Sequence, residues 1–182
     1  DSAVTAALLL KALPASQVHA LHVDTGFMRL DESDGVVREL RQLGLSNLRH
    51  VNAADRFFDG TITTAAGRTL GPLTSLHDPE QKRELVGSMF MEVLRDELEA
   101  MELDFTETIF AQGTLRPDLI ESGNPDISSS ASNIKTHHND VQMVREAREQ
   151  GRVVETNADW HKDEVRQVAR ELGLSEQIAG RQ

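Results

Sequence analysis

The sequence predicts an α/β protein in which a parallel sheet carries helices on both faces. Short apolar segments of strand character alternate with longer stretches whose apolar residues recur at helical spacing. The strand-like segments also run into acids, glycines and polar loops: Asp24 closes one, and Gln112-Gly113 closes another. A parallel sheet offers its ligand chemistry beyond the carboxyl ends of its strands, so these residues fall where such a fold keeps a site.

Residues 3–13 read as an apolar helix ended by Pro14, with Asp1-Ser2 before it. Residues 17–24 (QVHALHVD) alternate and read as a strand. Over 31–43, Val36, Leu40 and Leu43 share a helical face, and Gly44 stops the helix. A short strand follows at 48–52. Residues 61–77 are rich in Thr, Gly and Ala and read as a loop or insert. Residues 79–101 place Val86, Met89, Phe90, Val93 and Leu94 at helical spacing and form the longest predicted helix. A buried-type strand at 108–112 reaches Gly113. Residues 123–133 (GNPDISSSASN) read as a mobile polar loop. A helix at 140–150, a strand at 153–155 and a helix at 159–172 complete the chain, the last with Asn157 or Asp159 as its cap. No internal repeat is visible.

Composition narrows the function. The 182 residues suit one domain, and 38% hydrophobic residues can fill a core. No apolar run approaches the roughly 18 residues that span a bilayer, and the chain reads as soluble. With no cysteine, this chain offers no disulfide, thiolate metal site or cysteine nucleophile, which suits a cytoplasmic protein. The net charge of −11 argues against nucleic-acid binding through a broad basic surface. A nucleotide needs only a few local cations and backbone N–H groups, so that class stays open. The lysines are Lys11, Lys82, Lys135 and Lys162.

The candidate motifs each have a plainer alternative. Asp1-Ser2 before a helix is either an ordinary N-cap or the end of a phosphate-binding turn. In HVDTGFMR (22–29) the strand end at Val23 offers an apolar floor and main-chain groups to a flat base, and the same string also describes a strand, a turn and a cap. In DPEQKREL (78–85), Lys82 and Arg83 lie near a helix start, where cations oppose the macrodipole; an anionic ligand or a solvated charged face explains them equally. In FAQGTLRPDLIES (110–122), Gly113 permits close backbone approach, while Asp118 and Glu121 share a helical face and either orient a cation or a lysine or cap an exposed turn. IKTHHND (134–140) holds Lys135 with His137 and His138. Adjacent histidines without a third ligand do not make a zinc site, and Lys135 suits phosphate. In WHKDEVR (160–166), Trp160 reads as packing and Lys162 as part of a charged solvent face.

Together these strings, in this order, resemble the ATP-pyrophosphatase domain of GMP synthases, from Asp1 to Ile178, and look most like the longer, eukaryotic-type enzymes. The resemblance implies an adenine nucleotide alpha hydrolase-like fold, a single partial domain over 1–182, and an insert at 61–77. It implies a ligase of purine nucleotide synthesis. ATP with Mg²⁺ adenylylates the 2-oxygen of XMP, pyrophosphate leaves, and ammonia displaces AMP to give GMP. By the same resemblance, Asp1 and Ser2 end the phosphate loop and Asp1 helps to hold Mg²⁺. Val23 and Phe90 flank the adenine, Gly113 lies against ATP, Arg83 meets the XMP phosphate, and Lys135 meets the pyrophosphate. Asp1 and Lys135 are the expected catalytic residues.

Some features depart from the family pattern. The Ser-Gly-Gly-Val half of the loop and the strand before it are not in this sequence. The family's Glu-Pro-Leu appears as Glu155-Thr156-Asn157, and the chain stops at Gln182, before the Pro-Phe-Pro-Gly-Pro-Gly segment and dimerisation domain. The expectation is therefore impaired activity of this chain alone. A glutamine amidotransferase domain or subunit would supply ammonia, and a homodimer would form through the further domain. The alternatives are a non-catalytic adenine-nucleotide-binding fragment, or another ATP-pyrophosphatase such as NAD synthetase or a tRNA-thiolating enzyme. The last ordinarily needs cysteines and a basic face, and this chain has neither.

Overall fold

The computed structural model describes residues 1–64, 66–104, 106–121 and 142–181. Helix α1 (Ser2–Ala12) buries Val4, Thr5 and Ala7 and ends as Leu13 turns extended before Pro14. Strand β1 (His19–Asp24), helix α2 (Glu32–Gln42) and strand β2 (Asn47–Asn52) follow, with a 3₁₀ turn at Ala15–Gln17. The two strands pair in parallel, from His19 opposite Asn47 to Asp24 opposite Asn52. This is the parallel β–helix–β arrangement that the alternating pattern predicts.

Strand periodicity decides what each face of β1 meets. Leu21 and Val23 pack with Phe57, Met89 and Val93. Val18 and Ala20 point the other way, to Val37, Leu40, Leu9 and Leu10. Helices therefore cover both faces of this pair, as expected for a parallel sheet.

Residues 53–77 hold more structure than the sequence reading gives them. Helix α3 (Ala54–Asp59) follows β2 directly. Strands β3 (Ile62–Thr63) and β4 (Thr69–Leu70) form an antiparallel hairpin within the expected loop, and their buried Ile62 and Leu70 join the core around Phe57. Helix α4 (Pro79–Ala100) spans 22 residues and is the longest. Asp78 caps it by accepting a hydrogen bond from the Glu80 amide at 2.8 Å, and Pro79 occupies the first turn.

The second half contains β5 (Phe110–Gln112), α5 (Arg116–Glu121), α6 (Gln142–Glu149), β6 (Val153–Glu155), α7 (Lys162–Glu171) and α8 (Glu176–Ala179). Strands β5 and β6 pair in parallel, from Phe110 opposite Val153 to Gln112 opposite Glu155. The cap of α7 is His161, whose amide donates to Glu164 Oε2 at 2.7 Å, rather than Asn157 or Asp159. The α/β class and parallel pairing hold. Among the described residues, however, the strands form three separate two-stranded sheets rather than one continuous sheet. The predicted loop at 123–133 lies outside the described residues.

Candidate functional site

The amino end of α1 meets the carboxyl end of β5. A Cβ built on Gly113 would lie 2.5 Å from Ser2 N and 2.7 Å from the Asp1 carbonyl carbon. Any side chain there would strike backbone, so only glycine lets strand and helix approach this closely. Beyond Gly113 the chain is held firmly. Thr114 is buried and its hydroxyl donates to Glu155 Oε1 at 2.9 Å, on the paired strand. Arg148 donates to the same carboxylate oxygen at 2.8 Å. The Leu115 amide donates to Asp118 Oδ2 at 2.9 Å, and the Arg116 amide to the Trp160 carbonyl at 3.1 Å. Asp118 thus serves as a local cap, one of its two expected alternatives.

The carboxylate of Asp1 makes no capping hydrogen bond to α1. It accepts instead from Lys162 Nζ at 2.7 Å. The ordinary N-cap explanation of Asp1 is therefore not the one the geometry realises. Lys162 belongs to the first turn of α7, and burial, then Arg166, hold its pKa below the usual lysine value, with Asp118 opposing. A helix amino end whose first-turn N–H groups have no partner among the described residues, a side-chain-free glycine and a lysine therefore converge on one rim. That combination suits an anion with several oxygens.

Sequence reasoning missed Lys162. Its neighbours Asp163, Glu164 and Arg166 look like a solvated charge run, and Arg166 does pair with Asp163 at 3.0 Å. The partner that distinguishes Lys162 is Asp1, at the other end of the chain. No local pattern announces such a pair.

The remaining candidates lie as follows. Val23 is buried near the end of β1, and Phe90 on α4 packs against the same apolar cluster. Asp24 Oδ1 accepts from the Gly26 amide at 2.9 Å, a hydrogen bond that holds the carboxyl below its usual pKa and fixes the turn after β1. Arg83 is exposed in the first turns of α4 and donates to Glu80 at 3.1 Å, as the charged-face alternative predicts. Lys135, His137 and His138 lie outside the described residues. Among the described residues, no group of three or more His, Cys, Asp and Glu could hold a metal ion.

Fold and rim together define an α/β protein of parallel strand pairs, with a helix amino end, a glycine and a lysine gathered at the strand ends. Comparison with known proteins narrows this class. No family model matches the chain. Curated relatives match along all of it. GMP synthase (glutamine-hydrolyzing) of Dictyostelium discoideum is 47% identical over 182 residues. A probable GMP synthase of Caenorhabditis elegans is 45% identical over 181. A GMP synthase subunit of Methanococcus vannielii is 41% identical over 186. The chain covers 25%, 24% and 50% of these proteins respectively. Over the segment that it spans, the chain is similar to these GMP synthases, in line with the resemblance its motifs carry.

Proposed function

We propose that this chain is the part of a GMP synthase that binds ATP and XMP and activates XMP for amination. The observation that carries the reading is the whole-length similarity to relatives bearing that name, at 41–47% identity in the three compared. The rim around Asp1, Ser2, Gly113 and Lys162 supports it, because an adenylyl transfer needs its phosphates positioned and their charge neutralised.

In this reading the XMP 2-oxygen attacks the α-phosphorus of ATP and pyrophosphate departs. Ammonia then adds at C2 and AMP leaves with the oxygen, giving GMP. The first-turn amides of α1 and the backbone at Gly113 bind phosphate oxygens. Lys162 joins Lys135 as a cation for the departing pyrophosphate. Val23 and Phe90, which share one apolar cluster, receive the adenine. Arg83, once released from Glu80, serves the XMP phosphate.

Mg²⁺ when bound would neutralise phosphate charge. Asp1 would hold it through the carboxylate oxygen that Lys162 does not engage. A single carboxylate with phosphate oxygens is an ordinary way to hold this ion. A glutamine amidotransferase domain or subunit supplies the ammonia, and the whole protein works as a cytoplasmic homodimer without membrane or nucleic-acid partners. No helix among the described residues is long and apolar enough to cross a membrane.

Calorimetry of the purified chain with ATP·Mg²⁺ tests this reading. The expected result is saturable ATP binding that GTP does not match. Equal binding of both nucleotides, or of neither, would contradict it.

A further inference from the structure

Asn157 is fully buried, although it follows a strand end in a polar turn. Its carboxamide Nδ2 donates to the Asp1 carbonyl at 3.2 Å and to the Thr5 hydroxyl at 3.3 Å. Thr156 Oγ1 lies 2.9 Å from both Thr5 Oγ1 and Asn157 Oδ1. A hydroxyl carries one proton, so Thr156 donates to only one of these. If that proton goes to Asn157 Oδ1, the Thr5 hydroxyl donates to Thr156 and the ring closes with each proton used once. Burying a carboxamide is costly unless its groups are satisfied, and here both ends are.

The geometry points to a role for this polar ring, and we propose that Asn157 is a positioning residue that clamps the first turn of α1 against the β6–α7 turn, holding Asp1 beside Lys162 and Ser2 against Gly113. The placement of the partners carries this. The Asp1 carbonyl that Asn157 holds is also the acceptor of the first helical hydrogen bond, from the Thr5 amide at 3.1 Å. The same turn leads through His161 into Lys162, the partner of the Asp1 carboxylate. One buried side chain therefore ties the backbone of Asp1 to the loop that delivers its ionic partner. Thr156 and Asn157 carry the polar side chains that make this clamp. Its consequence for ligand binding rests on the function proposed above.

Asn157→Leu keeps the approximate volume and removes both donors. Hydrogen exchange, read by mass spectrometry on the whole chain, tests the clamp. The first hydrogen-bonded amides of α1, beginning with Thr5, should exchange at least about tenfold faster in N157L, while the slow amides of α4 stay unchanged. A merely general loss of stability would accelerate both. If N157L fails to fold, Thr156→Val opens the same ring and should accelerate the same amides to a smaller extent. Unchanged exchange of these amides in the folded variant would overturn the proposal, as would equal acceleration throughout. Titration with ATP·Mg²⁺ separates this proposal from the functional reading. Weaker ATP binding in N157L with faster local exchange supports both. A parent chain that binds no ATP defeats the functional reading, and the exchange comparison still judges Asn157.

Discussion

Gly113 shows what one residue contributes. Its missing side chain lets β5 approach the backbone of Asp1 and Ser2, and no nearby side chain can swing away to make room. Gly113→Ala should therefore cost about 1–3 kcal/mol of stability through overpacking. Thermal unfolding would check it, and an unchanged midpoint would show that helix and strand separate freely. His22 gives a pH dependence. It faces His50 across the β1–β2 pair, with ring centroids 5.3 Å apart, and its buried Nε2 has no hydrogen-bond partner among the described residues. Burial, then His50, hold its pKa below 6.5; Asp24 and Glu32 oppose this, and Arg181 adds to it. Between the folded value and 6.5 the unfolded chain binds more protons, so stability falls as pH drops through 6.5 and the whole cost is present below the folded value. The urea midpoint should therefore fall further in the parent than in His22→Gln between about pH 7.5 and about pH 5. An equal fall in both would remove His22 from the account.

The elements are held by features of different visibility. Asp78 and Pro79 announce the start of α4 in the sequence, and the structure uses them as read. Asp78→Ala should cost about 1 kcal/mol, a fall of roughly 2–4 °C in Tm for a chain of this size. Differential scanning calorimetry would measure it, and no change would mean that packing of Leu85, Met89 and Val93 fixes this end without its cap. Long periodic segments such as α4 and α7 were legible because many residues repeat one message. Helix α3 was not, because Ala54–Asp59 is too short for helical periodicity to accumulate. The β3–β4 hairpin was hidden for a related reason: each strand has two residues, and its order comes from burying Ile62 and Leu70 with Phe57. Asn157 looked like a cap because Asn favours such positions, yet its partners are in α1. Tertiary contacts over such separations leave no local trace.

At the scale of the whole molecule, distant segments converge on α1. Its amino end touches β5 through Gly113, the β6–α7 turn through Asn157, and α7 through Lys162. Farther along the chain, Glu39 of α2 hydrogen-bonds Ser175 before α8, and Arg181 pairs with Glu32 at 2.8 Å. The motif order made the likeness to GMP synthases readable, and with it three of the four rim residues, Asp1, Ser2 and Gly113. The fourth, Lys162, needed the fold, since only the fold brings residue 162 to residue 1. The measurement that tests the account most directly is a titration of isotope-labelled chain with ATP·Mg²⁺, followed by amide chemical shifts. The account predicts saturable shifts centred on the first turn of α1, Gly113 and Lys162, with a second group near Val23 and Phe90. No shifts, or shifts centred away from these residues, would contradict it.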